Sequence, residues 1–425
     1  MRAALWLLAL FGAAAAVAVF AGNNQGTVTV FWPPYRIDLA LNMVLLLLLV
    51  GFVVLYAALR GLLALQRLPR QARRWRLLQK ERAMHGAMLD SVAQLLAGRF
   101  LRARKSAQLA ITQERALAGA QENLPHGHQL RTLAHVVAAE SSHALQDRSG
   151  RAEHLALALE TLAERPDSAA QELRDGVQLR SARWSLDERD ASTALERLAL
   201  LPQGAARRTI ALRTRLKAAR LLGRTREALE TGRLLAKHGA FSPDVAATLV
   251  RTLAVSLLDE TRDSTQLQRA WQTLEAAERT TPEVAAHAAT RWVRFGGDGA
   301  QARSWLLPTW EQLVERGSTP ASDWQMHQLV LALEASLDGL DSAWLARIES
   351  AQQTHPQDGR LQYLAGVACL RLSLWGKAEQ LFTGALPELD DALRTRAWCH
   401  LAELAEQRGD AQAAAAAWKR AAQQP

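Results

Sequence analysis

The strongest constraint on this chain is the stretch from Leu39 to Leu59, in which Asn42 is the only strongly polar residue and Asp38 and Arg60 are the brackets. At 1.5 Å rise per residue such a run spans the roughly 30 Å hydrocarbon layer of a membrane. In lipid, a helix lets one segment satisfy its own backbone groups. A buried core helix is excluded by the length of the run and by the basic sequence after it. Ala3 to Ala21 is a second uncharged apolar run. Two transmembrane helices, about 3–21 and 39–59, are therefore expected, within a membrane anchor covering residues 1–65. A cleaved signal peptide is the other reading of the first run, since Arg2, the apolar core and Val19-Phe20-Ala21 satisfy that pattern. In the intervening loop, 22–38, Thr27 to Trp32 alternates like a short strand and is expected to stop at Pro33-Pro34. Trp32 and Tyr35 suit a membrane interface.

Charge sets the orientation. The chain has a formal charge of +9, and between Arg60 and Lys105 twelve basic side chains face only Glu81 and Asp90. Positive flanks stay on the cytoplasmic side, so the long C-terminal body is expected in the cytoplasm of a bacterial cell, beneath a multi-pass anchor in the inner membrane. Topology and anionic lipid account for this basic cluster, and nucleic acid is not expected as a partner. Pro69 is expected to interrupt the helix leaving the membrane. Beyond it Trp75, Leu77, Leu78, Met84, Met88 and Leu89 return at helical spacing. Residues 66–110 are read as a basic juxtamembrane helix and a first helical hairpin. Arg67, Arg70, Arg73, Arg74, Arg76 and Lys80 either lie on the membrane surface or are simply solvated.

Residues 111–425 read as helical hairpins that repeat. Gly366, Ala378, Phe382 and Ala385 occupy small, small, aromatic and small positions that let two antiparallel helices approach closely. Ala402, Ala414, Trp418 and Ala421 repeat them with a period of 36, and Trp398 and Leu401 take helix-A packing positions. This is the tetratricopeptide (TPR) pattern. Degraded units show at Ala103, Ala107 and Ala110 after Gly98, at Trp184 to Leu201, and at Leu222 to Ala228. Helix breaks are expected at Pro166, Pro202, Pro243, Pro282, Pro308, Pro320, Pro356 and Pro387. The expected fold is all-α: two N-terminal transmembrane helices followed by a TPR-like α-solenoid whose units bury their faces on one another.

No catalytic constellation can be assembled, and no enzyme is expected. Gly297-Asp298-Gly299-Ala300-Gln301-Ala302 matches a dinucleotide fingerprint in letters, but the preceding Ala285 to Phe295 reads as helix, which leaves an inter-helix turn. His126, His128, His135 and His143 lack metal-ligand spacing, so no metal is expected. Cys369 and Cys399 are 30 residues apart with no CxxC, as suits a reducing compartment. Trp271, Trp292, Trp305, Trp310, Trp324 and Trp344 fall in the central units, where core packing is the expected use and a binding groove the alternative.

The two spans, Gln25-Gly26-Thr27-Val28, the outer stretch Tyr35-Arg36-Ile37-Asp38, the basic exit and the Gly366 to Ala385 repeat together resemble the HemY family of proteobacterial membrane proteins, over nearly the full length. The resemblance implies a non-catalytic scaffold or regulatory protein of haem (tetrapyrrole) biosynthesis that binds cytoplasmic proteins, with late haem-pathway enzymes as the expected partners. The flavin-dependent oxidase that shares the family's name would show an N-terminal Rossmann fingerprint, and membrane helix stands there instead. Two alternatives stay open: a haem- or porphyrin-binding carrier or sensor using histidines near His126 or Cys369, and a TPR assembly factor for another envelope pathway. Repeat proteins of the latter kind usually carry paired CxxC motifs, which this sequence lacks.

Overall fold

The computed structural model describes residues 2–22, 25–119, 126–164, 167–315 and 323–423. It divides into two compact units, Met1–Ala170 and Gln171–Pro425.

The first unit opens with α1 (Arg2–Gly22) and an antiparallel hairpin of β1 (Thr27–Trp32) and β2 (Tyr35–Ala40). The sequence anticipates β1 only. Pro33-Pro34, expected to end regular structure, forms the hairpin turn through a cis peptide bond, and Trp32 pairs with Tyr35 across it. Leu39 and Ala40 belong to this ladder, and the Leu41 amide donates to the Gly26 carbonyl at 2.8 Å. The apolar helix therefore starts at Leu41 rather than Leu39. Among the described residues one helical segment, Leu41–Leu62, is long and apolar enough to cross a membrane. The expected break at Pro69 does not occur, because α2 runs unbroken from Leu41 to Leu96. One missing amide is a local loss, and the helix is held on both sides of it by its own hydrogen bonds. The side chains of Arg67, Arg70, Arg73 and Arg74 lie outside the described residues; Arg76 and Lys80 are exposed.

The far end of α2 packs against α3 (Phe100–Ala118) and α4 (Gly127–Ala144), and α4 pairs with α5 (Arg148–Glu164). Ala103, Ala107 and Ala110 are fully buried, because side chains this small let the helices approach closely. Met84, Ala87, Ile111, Leu117 and Leu130 form the apolar centre beside them.

From α6 (Ser168–Asp187) onward the chain is a run of helical hairpins. In chain order these are α6 and α7 (Ala191–Ala199), then, after the short α8 (Gln203–Ala206), α9 (Thr209–Leu221) packed on α10 (Thr225–Lys237). Next come α11 (Pro243–Asp259) and α12 (Ser264–Thr273), the short α13 (Ala276–Arg279), and α14 (Pro282–Arg294) with α15 (Gly299–Trp310). The series ends with α16 (Asp323–Ala335) and α17 (Ser342–Thr354), α18 (Gly359–Arg371) and α19 (Trp375–Ala385), and α20 (Asp391–Gln407) and α21 (Ala411–Ala422). One core runs without interruption from Leu212 to Leu404.

Most turns inside the hairpins use one device. A left-handed residue follows the first helix and the next residue caps the second: Arg189 and Asp190, Gly223 and Arg224, Ser373 and Leu374, Gly409 and Asp410. Where the left-handed residue is glycine the turn is legible in sequence; at Arg189 and Ser373 it is not.

The prolines divide by position. Pro243 and Pro282 each open a helix, where the missing amide costs nothing. Pro202 caps α8, Pro356 lies in the turn after α17, and Pro387 sits in a short 3-10 turn. Pro308, expected as a break, lies inside α15, which widens into a π-helical turn over Glu311–Glu315. That wider turn re-pairs the backbone beyond the proline. Pro166 and Pro320 lie outside the described residues.

Candidate functional site

The first helices of successive hairpins stand side by side in the second unit, with polar side chains bridging them. Arg251 on α11 meets Glu283 on α14 at 2.9 Å, and Glu283 accepts from Gln325 on α16 at 3.2 Å. Asp259 on α11 holds both His287 at 2.8 Å and Arg291 at 3.3 Å on α14. Asp323 on α16 meets Arg360 on α18 at 2.9 Å. We call this the inner-helix face; two clefts open on it.

The first cleft lies between α9 and α11, has a volume of about 450 Å³, and is lined by Arg220, Asp244, Val245, Thr248, Leu249 and Thr252 among others. Val245 is exposed, and the hydroxyls follow one another at one-turn spacing. The Thr252 and Ser256 hydroxyls donate to carbonyls one turn back at 2.8 and 2.9 Å, so the lining offers apolar and hydroxyl surface along α11, with the exposed Arg220 and Asp244 as its charged groups.

The second cleft, of about 680 Å³, sits at the N-terminal ends of α16, α18 and α20 and is lined by Asp323, His355, Asp358, Arg360, Glu388 and Asp390 among others. Burial works to lower the Arg360 pKa, but bonds to Asp358 and Asp323 outweigh it and hold the guanidinium more basic than usual. Burial likewise works to raise Asp390; the Leu393 amide and His327, at 2.7 Å, bring it below the ordinary carboxylate range.

At the other end of these helices α16 and α20 are clasped together. Glu334 meets Arg396 at 3.0 Å and His400 at 3.7 Å, and His400 also reaches Glu403 at 3.2 Å. The His400 ring stacks on Phe382 with centroids 5.3 Å apart. Burial favours the neutral imidazole, yet the two carboxylates prevail and raise its pKa above the usual histidine value. Glu334 moves the opposite way: burial works to raise it, and His400 and Arg396 lower it.

The repeat-pattern residues fall where helices touch. Gly366, Ala378, Phe382 and Ala385 bring α18 and α19 together, with the last three fully buried. Ala402, Ala414 and Ala421 are buried between α20 and α21. Trp398 is half-buried beneath the Arg420 guanidinium, 4.7 Å from the ring centroid. Trp418 departs from its expected packing role. Phe382 one period earlier is sealed, whereas Trp418 is 39% exposed, bonded through its indole N–H to Glu406 at 2.8 Å. The physical reason is that Phe382 is covered by α20, while no described hairpin covers α21.

The other sequence candidates are structural. Gly297 lies in the turn between α14 and α15 and seats the Trp292 indole; Gly299 opens α15, where a side chain would strike the Ser336 and Asp338 carbonyls. Trp271 stacks on Trp305 at 4.7 Å and Trp310 meets Trp344 edge-on at 5.9 Å, all four buried; Trp324 alone of the six is exposed. His126 caps α4, His128 pairs with Glu164 at 3.3 Å, and His143 accepts from Arg151 at 3.0 Å. His135 is buried against His154 at 3.2 Å, and burial followed by the His154 charge takes its pKa down to about 4.

No set of three His, Cys, Asp or Glu side chains among the described residues is arranged to hold a metal ion. Cys369 is fully buried in the α18 core, and burial pushes its thiol pKa up. The cleft beside His126 and His128 is about 120 Å³, below the roughly 300 Å³ at which ligand cavities begin. Among the described residues, neither place shows a cavity of porphyrin size. The sequence signal missed throughout is the pairing of side chains on different hairpins, as in Arg303. This buried arginine on α15 donates to the carbonyls of Ser336, Asp338 and Gly339 beyond α16.

Residues 26–146 match the family model described as the HemY protein N-terminus. No curated protein sequence matches the chain. Solved structures that match include a crystal structure of the APC/C hetero-tetramer Cut9–Hcn1, at 14% identity and a TM-score of 0.29 over 79% of this chain. A structure of Naa15/Naa10 bound to HypK-THB matches at 14% identity and a TM-score of 0.22 over 77% of this chain. The matches cover 65% and 56% of those chains' own lengths.

Proposed function

We infer from the match to the HemY N-terminus, which supports membership of the HemY family, that this chain is a non-catalytic scaffold of haem biosynthesis. It is anchored in the bacterial inner membrane, with its repeats in the cytoplasm, and gathers late haem-pathway enzymes. One observation carries the reading. The matched segment contains both the apolar stretch Leu41–Leu62 and the first helical hairpins, joined by the single helix α2. The apolar stretch and the first hairpin are thus parts of one continuous helix, and on this reading that hairpin works at a membrane surface. The helix α1 and the positive flank after Arg60 support a reading with two spans and a cytoplasmic body. Arg76 and Lys80 sit on the part of α2 that has already left the lipid, so direct headgroup contact belongs to the basic residues nearest Arg60.

The α9–α11 cleft is the preferred docking position for an extended peptide, with an apolar and hydroxyl lining flanked by Arg220 and Asp244 and an open volume of about 450 Å³. The test is crosslinking and affinity capture of the full chain from its native membrane, beside Val245→Asp, which replaces the exposed apolar side chain of that cleft with a second carboxylate next to Asp244. Recovery of ferrochelatase or another late haem enzyme by the wild type and its loss from the variant supports the reading. Capture of unrelated envelope proteins alone rejects the pathway. Deleting 361–425 would be a poorer comparison, because it strips Arg396 and His400 from Glu334 and opens the core.

A further inference from the structure

Helix α2 carries two faces beyond the apolar stretch. One is buried by α3 and α4 through Met84, Ala87 and Ser91, with Leu77, Met88 and Leu95 beside them. The other is an exposed stripe of Trp75, Leu78, Leu89, Val92 and Leu96, with Leu89 71% and Leu96 83% exposed. With Arg82 and His85 filling the gaps, the stripe advances by alternating steps of three and four residues, the spacing of heptad a and d positions. Isolated exposed leucines need no explanation; a continuous seam of this register does.

We propose that this stripe is a parallel self-association seam, and that its occupant is α2 of a second copy of this chain. Three observations lead there. The helix is unbroken from the apolar stretch, so two copies anchored in one membrane present their stripes in the same direction and register. The stripe also stands away from lipid: Trp75 is 13 residues past Leu62 and Leu96 is 34, roughly 20 and 50 Å along the axis. That is beyond the ~5–8 Å headgroup zone. Finally, the polar layer is self-complementary. With Trp75, Arg82, Leu89 and Leu96 at a, Glu81 falls at g, where a parallel pairing sets it against Arg82 of the other copy. The charged layer lowers affinity relative to an apolar one and fixes the register, as a single polar a position does.

Cysteine scanning of the full chain in its native membrane tests this. Leu89→Cys, Val92→Cys and Leu96→Cys should form disulfide-linked dimers under mild oxidation several-fold faster than Ala83→Cys and Asp90→Cys, which lie on another side of α2. Wild type, with Cys369 buried and Cys399 half-buried, sets the background. In detergent, Leu89→Glu with Leu96→Glu should convert a sedimenting dimer to monomer at unchanged helicity. Equal dimer yields at all five positions, no dimer at any, or adducts with a different protein or with lipid at 89 and 96 would each overturn the seam.

Discussion

Phe382 lies so close over Gly366 that a methyl group on that glycine would sit 2.9 Å from ring atoms Cδ1 and Cε1. The ring has nowhere to go, being fully buried between Tyr363 and His400. The α18–α19 hairpin therefore closes on a glycine–phenylalanine contact. Gly366→Ala should destabilise the protein by about 1–3 kcal/mol, the usual cost of overpacking a core. Gly176→Ala, in the middle of α6 with open space around it, should stabilise by about 0.5–1 kcal/mol. Denaturant midpoints of both variants check the pair, and equal effects would remove packing as the reason for glycine at 366.

Arg303 is 1% exposed and holds the Asp338 and Gly339 carbonyls in the turn after α16. Replacing it with methionine keeps most of the volume and leaves those acceptors without their donor. Arg303→Met should cost about 2–4 kcal/mol, from the loss of charge-assisted bonds to buried carbonyls. Urea unfolding measures it; a loss under 1 kcal/mol would mean the carbonyls find water.

Ser373 has a φ of 60°, a conformation that side chains adopt at a cost. Gly409, 36 residues later, occupies the same turn position. Ser373→Gly should raise stability by a few tenths to about 1 kcal/mol, and Gly409→Ser should lower it by a similar amount. A matched shift of opposite sign in thermal midpoint is the expected signature.

The buried His135 and the half-buried His400 respond to pH with opposite sign. His400 has a raised pKa, so its contribution is complete below its ordinary value of 6.5 and is lost as pH rises through the folded value. Glu334 has a lowered pKa, so its share is complete above its ordinary value of 4.5 and is lost as pH falls through the folded one. The α16–α20 clasp is then strongest between about pH 4.5 and 6.5. His135, lowered to about 4, favours the fold fully above 6.5 and loses that contribution as pH falls toward 4. His400→Gln should flatten the alkaline limb of hydrogen-exchange protection in the second unit, and His135→Leu the acidic limb in the first. Limbs unchanged in the variants would assign the pH dependence to other groups.

The sequence by itself determined the elements. The run ending at Leu59, the charge cluster after Arg60 and the small-residue spacings around Gly366 and Ala402 are local patterns. Local patterns fix which face of a segment is apolar and where it turns, because they act through backbone dihedrals and neighbours a few residues away. The tertiary structure decided everything that needs two distant segments. It paired β1 with a second strand. It sealed Phe382 while leaving Trp418 exposed at the same register, since only the former has a hairpin stacked over it. It brought Glu334 to His400 and Arg303 to Ser336, and it left one side of α2 bare. These depend on how each hairpin is rotated against the next, a quantity set by the summed packing of side chains across interfaces and written in no single stretch of sequence.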